Sequence, residues 1–230
     1  MNVLTLDEVS NNGIIKKRVI IGLKTRKKII SDLKNSVYTH IRGYHGCRPV
    51  DIESYKVLGI CPMTNIFEVR KNAIEIFNVS EAQILSVELE PDAFSIREGK
   101  VFFTMYELDL TKYCGHYLCY GSEYLLCLAG RLDNSTVGKY HNILLNRGTP
   151  TILGVNIPFC QLSEVEKDNL YSALLENASL EHITIEVHDV VHGENIVSVN
   201  HPNIICDVIT WRKYERIGAS KEYVHGTKWS

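Results

Sequence analysis

The chain has 230 residues, 45% hydrophobic and 23% charged, with a formal net charge of −2. That balance is the profile of a soluble globular protein with one substantial core or two small ones. No stretch of about 18 apolar residues marks a membrane-spanning helix, and Met1 to Ser10 lacks the basic-then-apolar order of a secretory leader. Cysteines stand at 47, 61, 114, 119, 127, 160 and 206, an odd number, several within apolar runs such as Leu125-Leu126-Cys127-Leu128. Reduced, buried thiols in a cytoplasmic protein fit this usage better than a disulfide framework.

In chain order, residues 16–34 carry Lys16, Lys17, Arg18, Lys24, Arg26, Lys27, Lys28 and Lys34 against the single acid Asp32. Such a segment either contacts phosphates or is a solvated helix face or a contact with an acidic partner. No aromatics interleave with the charges, which weighs against a stacking mode of strand binding. Apolar Ile29, Ile30, Leu33 and Val37 predict a helix over 26–38, followed by a strand from Val37 to Tyr44. Asp51 to Leu58 reads as a short helix closed by Gly59, with a break at Pro62, and Asn65 to Phe77 as an amphipathic helix. Val101 to Thr104 is a short strand. A helix then opens at Asp109-Leu110-Thr111, capped by Asp109 or Thr111, and runs through Leu128.

Ile152 to Ile157, ending at Pro158, predicts a strand, and Ser163 to Asn177 a helix with the capping box Ser163-Glu164-Val165-Glu166. His182–Val187, Ile196–Val199 and Ile204–Ile209 look like further strands. Short strands and helices without regular βαβ alternation indicate an α+β fold. With no linker or repeat, the expected organisation is a basic N-terminal helical segment over 1–36 and one domain over 37–230.

The chemistry centres on Arg42-Gly43-Tyr44-His45-Gly46-Cys47-Arg48, where a strand ends with a histidine beside a glycine, a place where backbone can approach a ligand closely. Downstream come Gly99-Lys100-Val101-Phe102-Phe103-Thr104 and Tyr113-Cys114, with Phe102 and Tyr113 eleven residues apart. Together these stretches, about 35 residues of 230, resemble the histidine–tyrosine–glutamate class of ADP-ribosyltransferases, which includes diphtheria-toxin-like enzymes and poly(ADP-ribose) polymerases. Departures are Cys47 where a small hydroxyl residue is common, Phe102 in place of a tyrosine, and Asp109 to Lys112 in place of a run of small residues.

The resemblance implies an ADP-ribosyltransferase-like split mixed β-sheet with flanking helices, and NAD as a substrate in the cleft. His45 and Gly46 would anchor the adenosine-side ribose and the carboxamide. Phe102 and Tyr113 would flank the nicotinamide, with Cys47, Arg48, Phe103, Thr104 and Tyr117 completing the NAD site. A glutamate at the head of a late strand is required to stabilise the oxocarbenium ion. Glu181 ranks first, Glu194 second, and Glu222 and Glu123 are outsiders.

The implied activity is mono-ADP-ribosyl transfer to a nucleic acid or protein with nicotinamide release, as in a bacterial toxin or antiphage effector. A neutralising antitoxin or chaperone would then be a partner. The rival is a catalytically inactive module that keeps the fold and binds a protein or an NAD-derived ligand. No metal is expected: Cys114, His116, Cys119 and Cys127 lack ligand-pair spacing. Cys47 beside His45 lacks a third, orienting group for nucleophilic catalysis, and no glycine-rich phosphate loop occurs.

Overall fold

A computed structural model describes residues 1–6, 23–88, 98–135, 137–176 and 183–216, and the backbone of 223–228. In chain order the elements are β1 (Val3–Leu4), α1 (Leu23–Lys34), β2 (His40–Cys47), α2 (Glu53–Leu58), α3 (Ile66–Phe77), α4 (Glu81–Val87) and β3 (Val101–Thr104). Then follow α5 (Glu107–Lys112), α6 (Gly115–Tyr120), α7 (Glu123–Asp133), α8 (Lys139–Asn146), β4 (Thr151–Pro158) and α9 (Glu164–Glu176). The chain closes with β5 (Thr184–Val187), β6 (Ile196–Asn200), β7 (Ile204–Asp207), β8 (Arg212–Arg216) and β9 (Tyr223–Lys228). The fold is α+β.

The main sheet runs β5-β3-β2-β4-β6, with β1 added parallel to the start of β2 and every other pairing antiparallel. Strand β4 is a near-continuous apolar run because both of its faces are covered: Ile152, Leu153, Val155 and Ile157 are all fully buried. It pairs with β2 from His40–Pro158 through to Cys47–Thr151. On the other edge of β2, β1 takes His40 and Ile41, and β3 joins only at Tyr44–Thr104. Beyond Tyr44 the sheet therefore splits. β7, β8 and β9 form a separate antiparallel sheet.

Each face of the main sheet has its own core. On one, Ile29, Ile30 and Leu33 of α1 and Leu170 and Leu174 of α9 pack with Ile41, Phe103, Leu153, Val155 and Ile157. Arg26 is buried there too, its guanidinium donating to the Leu174 and Leu175 carbonyls at the end of α9. Helix α1 is thus built into this core, and its basic positions Lys24, Lys27, Lys28 and Lys34 remain exposed. On the other face, Tyr44 and Ile152 pack beneath Phe77, Leu110, Leu118, Leu128 and Leu144 of α3 and α5–α8, and Ile205 and Tyr214 of the small sheet.

Most predicted elements appear within a few residues of their expected limits. The helix expected from Asp109 through Leu128 is instead three. The Asp109 carbonyl accepts from both Tyr113 N and Cys114 N at 2.9 Å, closing α5. Gly121, at φ 81°, ends α6 in a conformation that favours glycine, and Ser122 caps α7 by accepting from Leu125 N. Asp109 is buried inside α5, and the cap position belongs to Tyr106.

Only one half of the expected capping box on α9 forms: Ser163 Oγ accepts from Glu166 N, while the Glu166 carboxylate accepts from Glu186 N and so ties α9 to β5. The strand expected to Ile209 stops at Asp207, where the chain turns into β8. Among the described residues, no helix is long and apolar enough to cross a membrane.

Candidate functional site

Where β2 and β3 part, a cavity of about 520 Å3 opens. His45 and Gly46 of β2, Val101 to Thr104 of β3 and Thr184 of β5 form its floor. Its walls come from Tyr55 of α2, the Ile60-Cys61 and Met63 connection, Leu110 of α5, Cys114, Tyr117 of α6, and Gly121 to Tyr124 at the α6–α7 junction. Gly46 is required by the close approach of α5 and α6: a Cβ there would sit 3.0 Å from Leu110 Cδ2 and 3.3 Å from Tyr117 Cβ.

His45 is half-buried, and its Nδ1 bridges the split to the Phe102 carbonyl at 3.1 Å. Burial holds its pKa below the ordinary histidine value, with the Phe102 carbonyl opposing the shift. The ring is therefore neutral at neutral pH. Its Nδ1–H donates to Phe102, which leaves Nε2 in the acceptor form. The ring also packs against Phe103 at 5.7 Å between centroids. Glu123, at the start of α7, accepts a 2.7 Å hydrogen bond from the Tyr117 hydroxyl. Tyr124 donates to Glu88, which Arg70 grips through two nitrogens at 3.2 and 2.7 Å. Lys100 pairs with Glu186 at the margin of the cavity, at 3.2 Å.

A smaller cavity of about 220 Å3 shares His45, Tyr55, Gly121 and Ser122 with the first and adds Arg48 and Arg147. Its basic lining contrasts with the aromatic larger cavity. Arg48 itself is a clamp: Nε donates to the Arg147 carbonyl at 3.0 Å and Nη1 to Leu118 at 2.9 Å, and Nη2 donates to Leu145. It thereby satisfies carbonyls at the ends of α6 and α8. Arg147 is exposed.

The structure brings His45, Gly46, Phe102, Phe103, Thr104 and Tyr117 together around the larger cavity, and His45, Cys47 and Arg48 around the smaller. Phe103 is fully buried beneath the floor, whereas Phe102 is half-buried and on the cavity face. Burial pushes the Cys47 thiol up to about 12, against a hydrogen bond from Tyr55, so it stays protonated. Tyr113, which ends α5, lies outside the lining, and the break after it puts Tyr117 on the cavity wall. Glu194 is exposed in the 3-10 turn Gly193–Asn195, also outside the lining. Glu181 and Glu222 lie outside the described residues.

Tyr55, Lys100, Ser122 and Tyr124 are not among the site residues the sequence points to, and Glu123 ranks there only as an outsider. The Ser122 cap at the head of α7 is the one local signal that could have directed attention to Glu123. Among the described residues, no three His, Cys, Asp or Glu side chains converge as a metal site would need. The chain matches no protein-family model, no curated protein and no solved structure.

Proposed function

We propose that the chain is an NAD-dependent mono-ADP-ribosyltransferase acting from the cleft between β2 and β3. The observation that carries this reading is the cavity at the split, where a neutral histidine, a close-approach glycine, aromatic side chains and a carboxylate converge. The sheet order β5-β3-β2-β4-β6, opening beside the His45-Gly46 end of β2, supports an ADP-ribosyltransferase-like split sheet. The two cavities, which share His45, Tyr55, Gly121 and Ser122 in their linings, suit the two ends of a dinucleotide. Phe102 and Tyr117 offer ring faces to a cationic nicotinamide, and the exposed Arg147 at the smaller cavity suits a phosphate. His45 Nε2 accepts from a ribose hydroxyl, and the edge of β2 past Tyr44, unpaired among the described strands, presents backbone to a carboxamide.

Holding NAD in this way orients the nicotinamide–ribose bond for displacement. The acceptor is a nucleic acid or a protein side chain. The exposed lysines of α1 favour the former. An effector of this kind acts on its host from the cytoplasm under a neutralising protein partner. One feature favours the rival reading, a binding module without turnover: β5 presents Thr184 to the cavity.

Incubation with labelled NAD and cell lysate tests the proposal. Free nicotinamide and label on a macromolecule are expected, with nuclease or protease sensitivity identifying the acceptor. Saturable NAD binding without nicotinamide would instead establish a binding module for NAD, and neither signal would end the NAD readings and leave only a protein-binding module.

A further inference from the structure

We infer that Glu123 is the carboxylate that promotes transfer at this site, supplied from the head of helix α7 and not from a strand. This rests on the ADP-ribosyltransferase reading. Among the described residues lining the larger cavity, Glu123 is the sole carboxylate. Its place is built: Gly121 turns the chain at φ 81°, Ser122 caps α7, and the Tyr117 hydroxyl holds one carboxylate oxygen at 2.7 Å. Tyr117 in turn packs against Gly46, so the position of the carboxylate is referenced to the strand that carries His45.

Three other acids near the split have polar partners away from the larger cavity's aromatic wall. Glu186 faces Lys100 at 3.2 Å and His188 at 3.5 Å, Glu107 accepts from Asn200, and Glu88 is held by Arg70 and Tyr124.

In the reaction, the bond between ribose C1′ and the pyridinium nitrogen breaks, its electron pair neutralising the nicotinamide as it leaves. A carboxylate beside the ribose offsets the positive charge that spreads over C1′ and the ring oxygen. The acceptor's lone pair then forms the new bond to C1′, and its proton passes to Glu123 and on to water. No oxidant or second cofactor enters this balance. Tyr117 is a positioning residue: it fixes which way the carboxylate points.

The test is steady-state nicotinamide release, with NAD affinity measured separately, for wild type, Glu123→Gln, Glu123→Asp, Tyr117→Phe, Glu181→Gln and Glu186→Gln. Glu123→Gln is expected to lose at least about 100-fold in kcat while its NAD Kd moves less than about 3-fold and its melting temperature is kept. Glu123→Asp, which withdraws the carboxylate by one methylene, is expected to retain more activity than the amide. Tyr117→Phe should lower kcat about 10-fold with KM nearly unchanged, the split that separates positioning from binding. An active Glu123→Gln with an inactive Glu181→Gln or Glu186→Gln would overturn the assignment and leave the transferase reading intact. A wild type that releases no nicotinamide would overturn both.

Discussion

Strand β2 has two flanks built to different ends. Against β4 it is paired along its whole length, from His40 to Cys47, and β4 is buried from Thr151 to Ile157. Against β3 it meets one position, Tyr44, and the space beyond is a cavity. One flank concentrates the packing of the sheet, and the other leaves an open cavity. The closed flank satisfies its backbone internally. The open one is held apart by helices whose own ends need tying down, and Arg48 performs that task from just past the end of β2.

The largest effect is expected from the core beneath β3. Phe103 is fully buried in the core beneath the sheet, so Phe103→Ala is expected to lose about 3–5 kcal/mol in denaturant unfolding. Arg48→Ala should follow, at about 2–3 kcal/mol, because it strands the Leu118 and Leu145 carbonyls. Arg48→Lys should recover little of this, since one ammonium cannot span the carbonyls a guanidinium reaches. An Arg48→Ala variant that melts like wild type but fails to bind NAD would instead make Arg48 a ligand contact.

Arg48 also marks the limit of what local sequence conveys. Strand β3 and helix α3 are legible because their signals are local: a short apolar strand after Gly99-Lys100, and apolar residues at helical spacing after the Asn65 cap. The His-Gly end of β2 is legible for the same reason. The role of Arg48 depends on carbonyls at 118, 145 and 147, brought to it only by tertiary folding.

The same limit explains the tyrosines. Eleven-residue spacing pointed to Tyr113, but the Asp109 carbonyl accepts two amides and ends α5, so Tyr117 reaches the cavity. Glu123 is adjacent to Tyr117 only because Gly121 and Ser122 turn the chain between them. On an unbroken helix, residues six apart lie on different faces.

A smaller stability effect is expected on the cavity face of β3. Phe102→Ala, one residue from Phe103 but on the cavity face, should lose only about 1 kcal/mol of stability, while weakening NAD binding about 10-fold through loss of a stacking face. Equal stability losses for the two phenylalanines would contradict the assignment of faces.

The smallest effect is expected from pH. His45 takes up its proton less readily in the folded protein than in the unfolded chain, because burial lowers its pKa. Its contribution to stability is therefore complete above about pH 6.5 and declines as pH falls through the lower folded value. Chemical denaturation at pH 7.5 and pH 5 should show this loss in wild type and a reduced one in His45→Gln.

Calorimetric titration of NAD into the protein at neutral pH asks whether the open flank of β2 is the proposed NAD site organised by His45. The expected result is saturable one-to-one binding that weakens at least about 10-fold in His45→Ala and persists in a variant of an exposed residue far from the cleft, such as Val165→Ala. An absence of binding heat and of competition by nicotinamide in the wild type, or an affinity indifferent to His45, would contradict it.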